Sequence, residues 1–465
     1  MSARTIHIAS LGCPKNRVDS EVMLGVALAA GYRHAADPRR AEVIVVNTCG
    51  FIGPAKRESI DAILELGEHK RRGRCRKLVV AGCLAQRYPR ELAAELPMVD
   101  HFLGSSDILA LGAVLAGRAE RIGVGDPGSW LMNAGTPRVL SSALSPSASG
   151  SAYVKLGEGC SRRCAFCVIP ELRGRQRSRE PADVVREVER LAAQGVKEVN
   201  LVSQDTVAYG RDLPAGSRAS LSRVAERVAD VPGVRWVRLL YLYPERLSPD
   251  LLALLAGHEK VLPYVDMPMQ HASDRLLRLM RRGHGGRALR QLIEQLRTAV
   301  PGLVLRSAFI VGHPGETPAD FEELCELVRW AEIDRVGVFR YSDEEGTAAS
   351  RLGGKVPPLV AANRWRRLMA IARRISRVHN RALRGRELEI LVEGPSDEHE
   401  HVLMGRHAGQ APEIDGQVYL GAGAWHGAAA RAGEMIRVRI SQSSDYDLVG
   451  EVRGWRCRDR QLSCH

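Results

Sequence analysis

The sequence predicts an α/β protein in three parts: an N-terminal parallel-sheet α/β domain (residues 1–122), a partial (β/α)6 barrel (151–384) and a small C-terminal antiparallel β-barrel (385–453). Three observations carry this. Apolar strand-like runs alternate with helical patterns through the first hundred residues. Six further strand–helix units follow a linker, 123–150, rich in Gly, Ser and Pro. Five short β runs separated by turns then lead to a basic tail at 454–465.

In the first part, Thr5–Leu11 reads as a strand with Ile6 and Ile8 on one face, ending at Gly12-Cys13. Val43–Val46 is a continuous apolar run of the buried-strand type and ends at Asn47-Thr48-Cys49. Leu78–Ala81 does the same and ends at Gly82-Cys83. Helical patterns lie between, over Val18–Ala30 and Lys56–Glu68. Such alternation implies a parallel sheet whose carboxyl strand ends share one edge, where ligands bind. Cys13, Cys49 and Cys83 therefore converge, although 36 and 34 residues separate them. A single cysteine after a strand is most often a small buried apolar residue. Three at equivalent places read as ligands of an iron–sulfur cluster with one iron left open.

Within the linker, Gly123–Gly128 matches G-x-G-x-x-G, but no helix can run through Asp126-Pro127-Gly128, which excludes a dinucleotide site. The strand Tyr153–Leu156 leads into Gly159-Cys160, and helix Pro181–Gln194 has Pro and Asp in its first turn. Strands Glu198–Val202, Val234–Leu240, Tyr264–Met267, Leu303–Val311 and Arg335–Arg340 each end in polar residues. In barrels, active sites are built from such ends. Six units make a partial barrel, not a closed eight-fold one. Basic helix Ala361–Arg384 reads as a surface helix bridging two domains. From Leu388 the runs LEILVEG, HVLMGR, GQVYLG, MIRVRISQ and YDLVGEV suggest a barrel of the oligonucleotide-binding kind.

The central motif is Cys160-x3-Cys164-x2-Cys167. Three thiolates this close hold three corners of a cubane [4Fe–4S] cluster and leave one iron for a substrate or cofactor. A ferredoxin would supply four thiolates, and a structural zinc site would need a fourth ligand, which is not found nearby. The arrangement resembles the signature of the radical S-adenosylmethionine (SAM) enzymes. Ser203, Gln204 and Gln270 are candidate contacts to the adenosine or carboxylate of that cofactor, although generic polar loop-formers would look the same. Phe166 packs or shields the cluster, and Arg162 and Arg163 are solvated or steady its charge. Cys325 lies on the apolar side of a helix and reads as core; Cys75, Cys457 and Cys464 have no assignable role.

With 45% apolar and 26% charged residues, the composition argues against wholesale disorder. No run approaches the roughly 18 apolar residues of a membrane span, and the N-terminus enters a strand without a signal-peptide core. The expectation is a soluble, cytoplasmic protein with no membrane partner. Ten cysteines over 465 residues in a reducing compartment point to metal ligands or catalysis, not a disulfide framework. The net charge of +13 suggests an anionic partner such as ribosomal or transfer RNA, although a solvated arginine-rich surface would give it too.

Taken together, these residues resemble the methylthiotransferases, which join a three-cysteine N-terminal domain, a radical SAM core and a TRAM domain. The local marks are SLGCPKN (Ser10–Asn16), LLYLYP (Leu239–Pro244), DMPMQHAS (Asp266–Ser273), APEIDG (Ala411–Gly416) and DYDLVGE (Asp445–Glu451). They are similar to the branch that modifies ribosomal protein S twelve. The alternative is the transfer-RNA branch, which acts on an adenosine near the anticodon and typically carries Gln-Met-Asn where this chain has Pro14-Lys15-Asn16. His313 stands where a Phe is usual. The resemblance implies two [4Fe–4S] clusters and SAM, reductive formation of a 5′-deoxyadenosyl radical at the Cys160/Cys164/Cys167 cluster, and hydrogen abstraction from the β-carbon of an aspartate. It implies that the Cys13/Cys49/Cys83 cluster holds the sulfur to be attached, and that a second SAM supplies the methyl group. Its partners would be ribosomal protein S twelve, or the small ribosomal subunit, and an electron donor such as flavodoxin or ferredoxin. The small barrel would grip the substrate, with Glu413-Ile414-Asp415 facing a basic protein. Such a β-carbon is too weakly acidic for a side-chain base, so a catalytic triad or carboxylate pair is not expected.

Overall fold

The computed structural model describes residues 4–141, 144, 149–217, 219–396, 402–421 and 430–452. Cys457, Cys464 and the basic tail lie outside the described residues. The N-terminal sheet has six parallel strands, β1 (Thr5–Ser10), β2 (Arg33–His34), β3 (Val43–Thr48), β4 (Lys77–Gly82), β5 (His101–Leu103) and β6 (Ile122–Gly123), in the order β2-β1-β3-β4-β5-β6. Alternate residues explain its unbroken apolar runs. Ile8, Val43, Val45 and Val79 pack with Met23 and Leu24 on one face, and Ile44, Val46, Leu78 and Val80 with Ile63 and Leu66 on the other. Strands β2, β5 and β6 escape the sequence because two or three residues carry no periodicity.

The segment after β6 is a packed strap, not a free tether. Trp130 and Met132 join an apolar cluster with Val18 and Tyr153. Arg138, nearly inaccessible, pairs with Glu21 of helix Pro14–Ala29 at 2.6 Å and with Glu187 of helix Pro181–Ala193. Its Nη2 donates to the Tyr153 carbonyl at 2.7 Å.

The central sheet contains β7 (Ser151–Lys155); a two-stranded ribbon of β8 (Gly157–Glu158) and β9 (Arg177–Ser178) brackets the Cys160–Cys167 loop. Strands β10 (Glu198–Val202), β11 (Trp236–Leu239), β12 (Val261–Asp266), β13 (Val304–Val311) and β14 (Arg335–Arg340) complete a parallel sheet in the order β14-β13-β12-β11-β10-β7. These are the six expected units. Its helices cover the outer face, and Cys325 is buried in that core. Helix Pro358–Ala382 runs from this sheet to the last domain, where Arg377 pairs with Asp445 at 2.6 Å.

The last domain is a closed barrel of β15 (Glu387–Pro395), β16 (Leu403–His407), β17 (Val418–Gly421), β18 (Met435–Ser443) and β19 (Leu448–Val452). Four of its five ladders are antiparallel; β17 and β19 pair in parallel and close it. Its 406–415 segment plugs the concave face of the central sheet. Arg406 reaches Glu198 and its own Glu393, each at 2.6 Å, and Arg238 adds a bond to Glu198 at 2.9 Å. The Tyr153 hydroxyl donates to the Pro412 carbonyl, and the Tyr264 hydroxyl to Asp415. This corrects the expectation for Glu413-Ile414-Asp415: Glu413 pairs with Arg17, while Asp415 meets Tyr264 and Arg306 inside the molecule. Asp415 adds a second carboxylate to Arg306, which Asp266 of β12 already pairs at 2.7 Å, and Glu413 answers Arg17 of the N-terminal helix.

Glu198 is fully buried between two arginines. Burial works to raise its pKa, but Arg406 and Arg238 outweigh it and hold the carboxyl at about 2. Because the folded value lies below the ordinary 4.5, this stabilisation is complete above pH 4.5 and is lost as pH falls toward 2. Glu198→Gln leaves buried Arg238 without its counter-charge and Arg406 with Glu393 alone, and we expect it to cost about 3–5 kcal/mol in urea unfolding at pH 7. The loss should shrink as the pH falls through that window.

Candidate functional site

Strand register aligns the first cysteine set. Ser10 of β1 pairs with Asn47 of β3, and Asn47 with Ala81 of β4. Cys13, Cys49 and Cys83 follow that row by three, two and two residues. The loops touch. A Cβ on Gly12, whose φ is +86°, would lie 2.8 Å from Cys49 Cβ, and one on Gly50 would lie 2.7 Å from the Cys83 carbonyl. Only glycine allows this approach. Asn16 clamps the loops, its Nδ2 donating to the Leu11 and Thr48 carbonyls at 2.9 Å each. Cys13 caps helix Pro14–Ala29, whose N-terminal dipole favours negative charge there.

The second set sits in the loop after β8. Cys160 N–H donates to the Gly174 carbonyl and Cys167 N–H to the Cys164 carbonyl. Arg282 donates to Cys164 Sγ at 3.4 Å, and the Arg162 backbone N–H to Cys160 Sγ at 3.5 Å. Arg162 is not simply solvated: it binds Asp205 at 2.5 Å and Glu245 at 2.8 Å, and with Arg282 it sandwiches the Tyr243 ring. Arg163 is exposed, and Phe166 is half-buried.

Burial pushes the Cys49 and Cys167 thiols up to about 12 and Cys160 to about 11, and neighbouring cysteines of the same set push the same way. Each set is therefore one electrostatic locality, and iron must displace protons to bind there. Among the described residues no three such ligands converge as on a single ion. A cubane does not require that, because each thiolate binds a different iron. Both sets fit three corners of a [4Fe–4S] cluster.

The two cysteine edges face each other across a buried ionic quartet. Lys155, at the end of β7, binds Asp19 at 2.5 Å and Glu158 at 2.6 Å. Arg173 binds Asp19 at 2.7 Å and Glu158 at 3.5 Å, donates to Asn16 Oδ1 at 2.5 Å and reaches Cys83 Sγ at 3.3 Å. Burial alone would raise the Glu158 pKa, yet Lys155 and Arg173 hold it near 2. Around this centre, Lys56 and Arg87 both bind Glu344, and Ser105 donates to the Leu172 carbonyl.

Gln204 hangs on the quartet, its Nε2 bonded to Glu158 at 2.6 Å, while its buried Oε1 has no partner. Gln270 has φ +72° and bridges β13 through its backbone; no side-chain hydrogen bond is seen for it among the described residues. Ser203 is buried, and its hydroxyl accepts from the Asp205 N–H within its own turn. His313 is also buried, packed edge-on to Tyr341 with its pKa pushed down to about 4 by burial, so it serves as a neutral ring. Asn16, Asp19, Lys155, Glu158 and Arg173 were not singled out from sequence. The signal was present for Asn16 alone, inside SLGCPKN; the others look like ordinary surface charges until the domains meet.

Residues 5–104 match the Uncharacterized protein family UPF0004, 154–328 the Radical SAM superfamily and 385–452 the TRAM domain. The chain is 66% identical over 456 residues to the ribosomal protein uS12 methylthiotransferase RimO of Sorangium cellulosum (strain So ce56), covering 97% of this chain and 91% of that one. It is 50% identical over 450 residues to the RimO of Myxococcus xanthus (strain DK1622), covering 97% and 92%. Among solved structures it is similar in fold to the radical SAM methyltransferase TsrM of Kitasatospora setae with cobalamin and a [4Fe-4S] cluster bound. The TM-score is 0.54 at 18% identity, over 73% of this chain and 75% of that one.

Proposed function

The chain belongs to the ribosomal protein uS12 methylthiotransferase (RimO) family, and we propose that it attaches a methylthio group to the β-carbon of an aspartate in ribosomal protein uS12. The observation that carries this reading is the facing of two separate three-cysteine sets across one buried seam. A generic hydrogen-abstracting enzyme needs one such set; sulfur insertion needs a second site that presents the sulfur.

The residues then divide as follows. Cys160, Cys164 and Cys167 hold one [4Fe–4S] cluster, and Cys13, Cys49 and Cys83 hold the other. When bound, the clusters and SAM supply one-electron cleavage of SAM, hydrogen removal from carbon, the sulfur and the methyl group. The protein's part is binding and orientation. Gln204, with one free buried oxygen, and Gln270, held in a strained backbone, contact SAM, and Ser203 shapes the turn that carries Gln204. Arg162 and Arg282 offset negative charge around the first cluster, and Arg173 does so at Cys83. The small barrel closes the concave face of the sheet and keeps the seam dry. An electron donor such as flavodoxin or ferredoxin completes the partners. Among the described residues no helix is long and apolar enough to cross a membrane, which is consistent with a cytoplasmic enzyme acting on uS12 or the small ribosomal subunit.

Mass spectrometry of uS12 treated with the reconstituted enzyme should show one added methylthio group on one aspartate; an unchanged mass would overturn the proposal. Reconstituted protein should carry about eight irons, two cubanes' worth. Joint replacement of Cys13, Cys49 and Cys83 by Ala should halve that number while 5′-deoxyadenosine is still formed. Arg173→Met should lower iron retention at the same set, measured as iron per chain after gel filtration. Gln204→Ala should raise the KM for SAM by about tenfold, as expected for a lost buried hydrogen bond.

A further inference from the structure

Most cations along the seam are partnered, although among the described residues the buried Nε and Nη2 of Arg177 on β9 are not. Lys56, Arg87, Lys155, Arg162, Arg173 and Arg306 each have a carboxylate within ion-pair distance. Arg282 is engaged with Cys164 Sγ and the Pro268 carbonyl. Lys15 differs from all of these. Its side chain is only 6% exposed, yet among the described residues no carboxylate lies within ion-pair distance of it. Its Nζ instead lies 3.2 Å from the centre of the Tyr241 ring.

That ring is placed at some cost. Tyr241 has φ +60°, a region disfavoured for a bulky residue, and is held there because its N–H donates to Asp266 and its carbonyl accepts from Thr206. A π face compensates a buried ammonium only in part, and the carboxylates that favour its charge, Glu158 and Asp266, stay beyond ion-pair distance, so the ammonium can still receive a carboxylate. The location narrows what that anion is. Lys15 follows Cys13 by two residues, and Tyr241 follows the end of β11 on the opposite, barrel side of the seam. The pair therefore spans the gap between the two cysteine sets.

An aspartate offered for attack at its β-carbon brings its carboxylate one bond away. The carboxylate must enter the same partly buried seam, where an unpaired charge is costly. We propose that Lys15, seated on Tyr241, receives the carboxylate of the substrate aspartate and so positions its β-carbon between the two cysteine sets. This makes Lys15 the residue that selects aspartate over its neutral isostere. The inference rests on the uS12 reading above and deepens it.

The test compares uS12 with its target aspartate intact and the same protein with that aspartate replaced by Asn, using reconstituted wild-type enzyme and the Lys15→Gln variant. Iron content and thermal melting establish that the variant is folded and loaded. Wild-type enzyme should favour the aspartate substrate about ten- to hundredfold in kcat/KM, the range of one charged hydrogen bond. Lys15→Gln should raise KM for the aspartate substrate and compress that preference to within about threefold, which a merely structural lesion would not do. A folded Lys15→Gln enzyme that keeps the wild-type preference overturns the proposal. So does wild-type enzyme that modifies both substrates equally, whatever the variant does. Failure of wild-type enzyme to modify either substrate overturns the uS12 reading itself, and this inference with it.

Discussion

The ionic quartet of Asp19, Lys155, Glu158 and Arg173 is the contact on which the two-site geometry depends. It contributes one carboxylate from the N-terminal domain and one from the barrel, with both cations on the barrel side. Each charge is nearly inaccessible, so none can be removed without stranding its partners in a medium that solvates them poorly. Buried ion pairs often add little net stability over apolar side chains of similar volume. What the charges add is register: two acids and two bases satisfy one another in one relative placement of the domains. Arg173 carries that register to Cys83 and Asn16, and Gln204 carries it to the end of β10.

A second buried network answers a different need. A six-stranded partial barrel has an open concave face, and here Arg238, Tyr264 and Arg306 point into it. The closed β-barrel meets them with Asp415, with backbone carbonyls and with Arg406, while Glu198 reconciles the two arginines. The acidic 413–415 stretch is thus part of the scaffold. A domain of the oligonucleotide-binding type is used on one side to plug its neighbour, and only its remaining surface is available to a macromolecule.

Much of this architecture was legible in the residue order. The strands ending at Cys13, Cys49 and Cys83 could be read because the first alternates, with Ile6 and Ile8 on one face, because the other two are short continuous apolar runs, and because parallel connection fixes which ends share an edge. Cys160, Cys164 and Cys167 needed only spacing. Gln204 was visible as a polar residue at a strand end, although its bond to Glu158 was not. The strap from Gly123 was misleading: its Gly and Pro content resembles a tether, yet Arg138 is fixed there between Glu21 and Glu187.

The sequence by itself determined the three-part organisation, the two cysteine sets and the chemistry that such sets permit, because periodicity and ligand spacing are local properties of a chain. Tertiary structure alone decided that the sets face each other, that Asp19, Glu158 and Arg173 form the joint, and that Lys15 sits on the Tyr241 ring with no carboxylate in ion-pair distance among the described residues. A charged residue carries no mark in the chain that says whether water or another charge will surround it. Only the packing of domains 100 or more residues apart in sequence removes that water and assigns the partner.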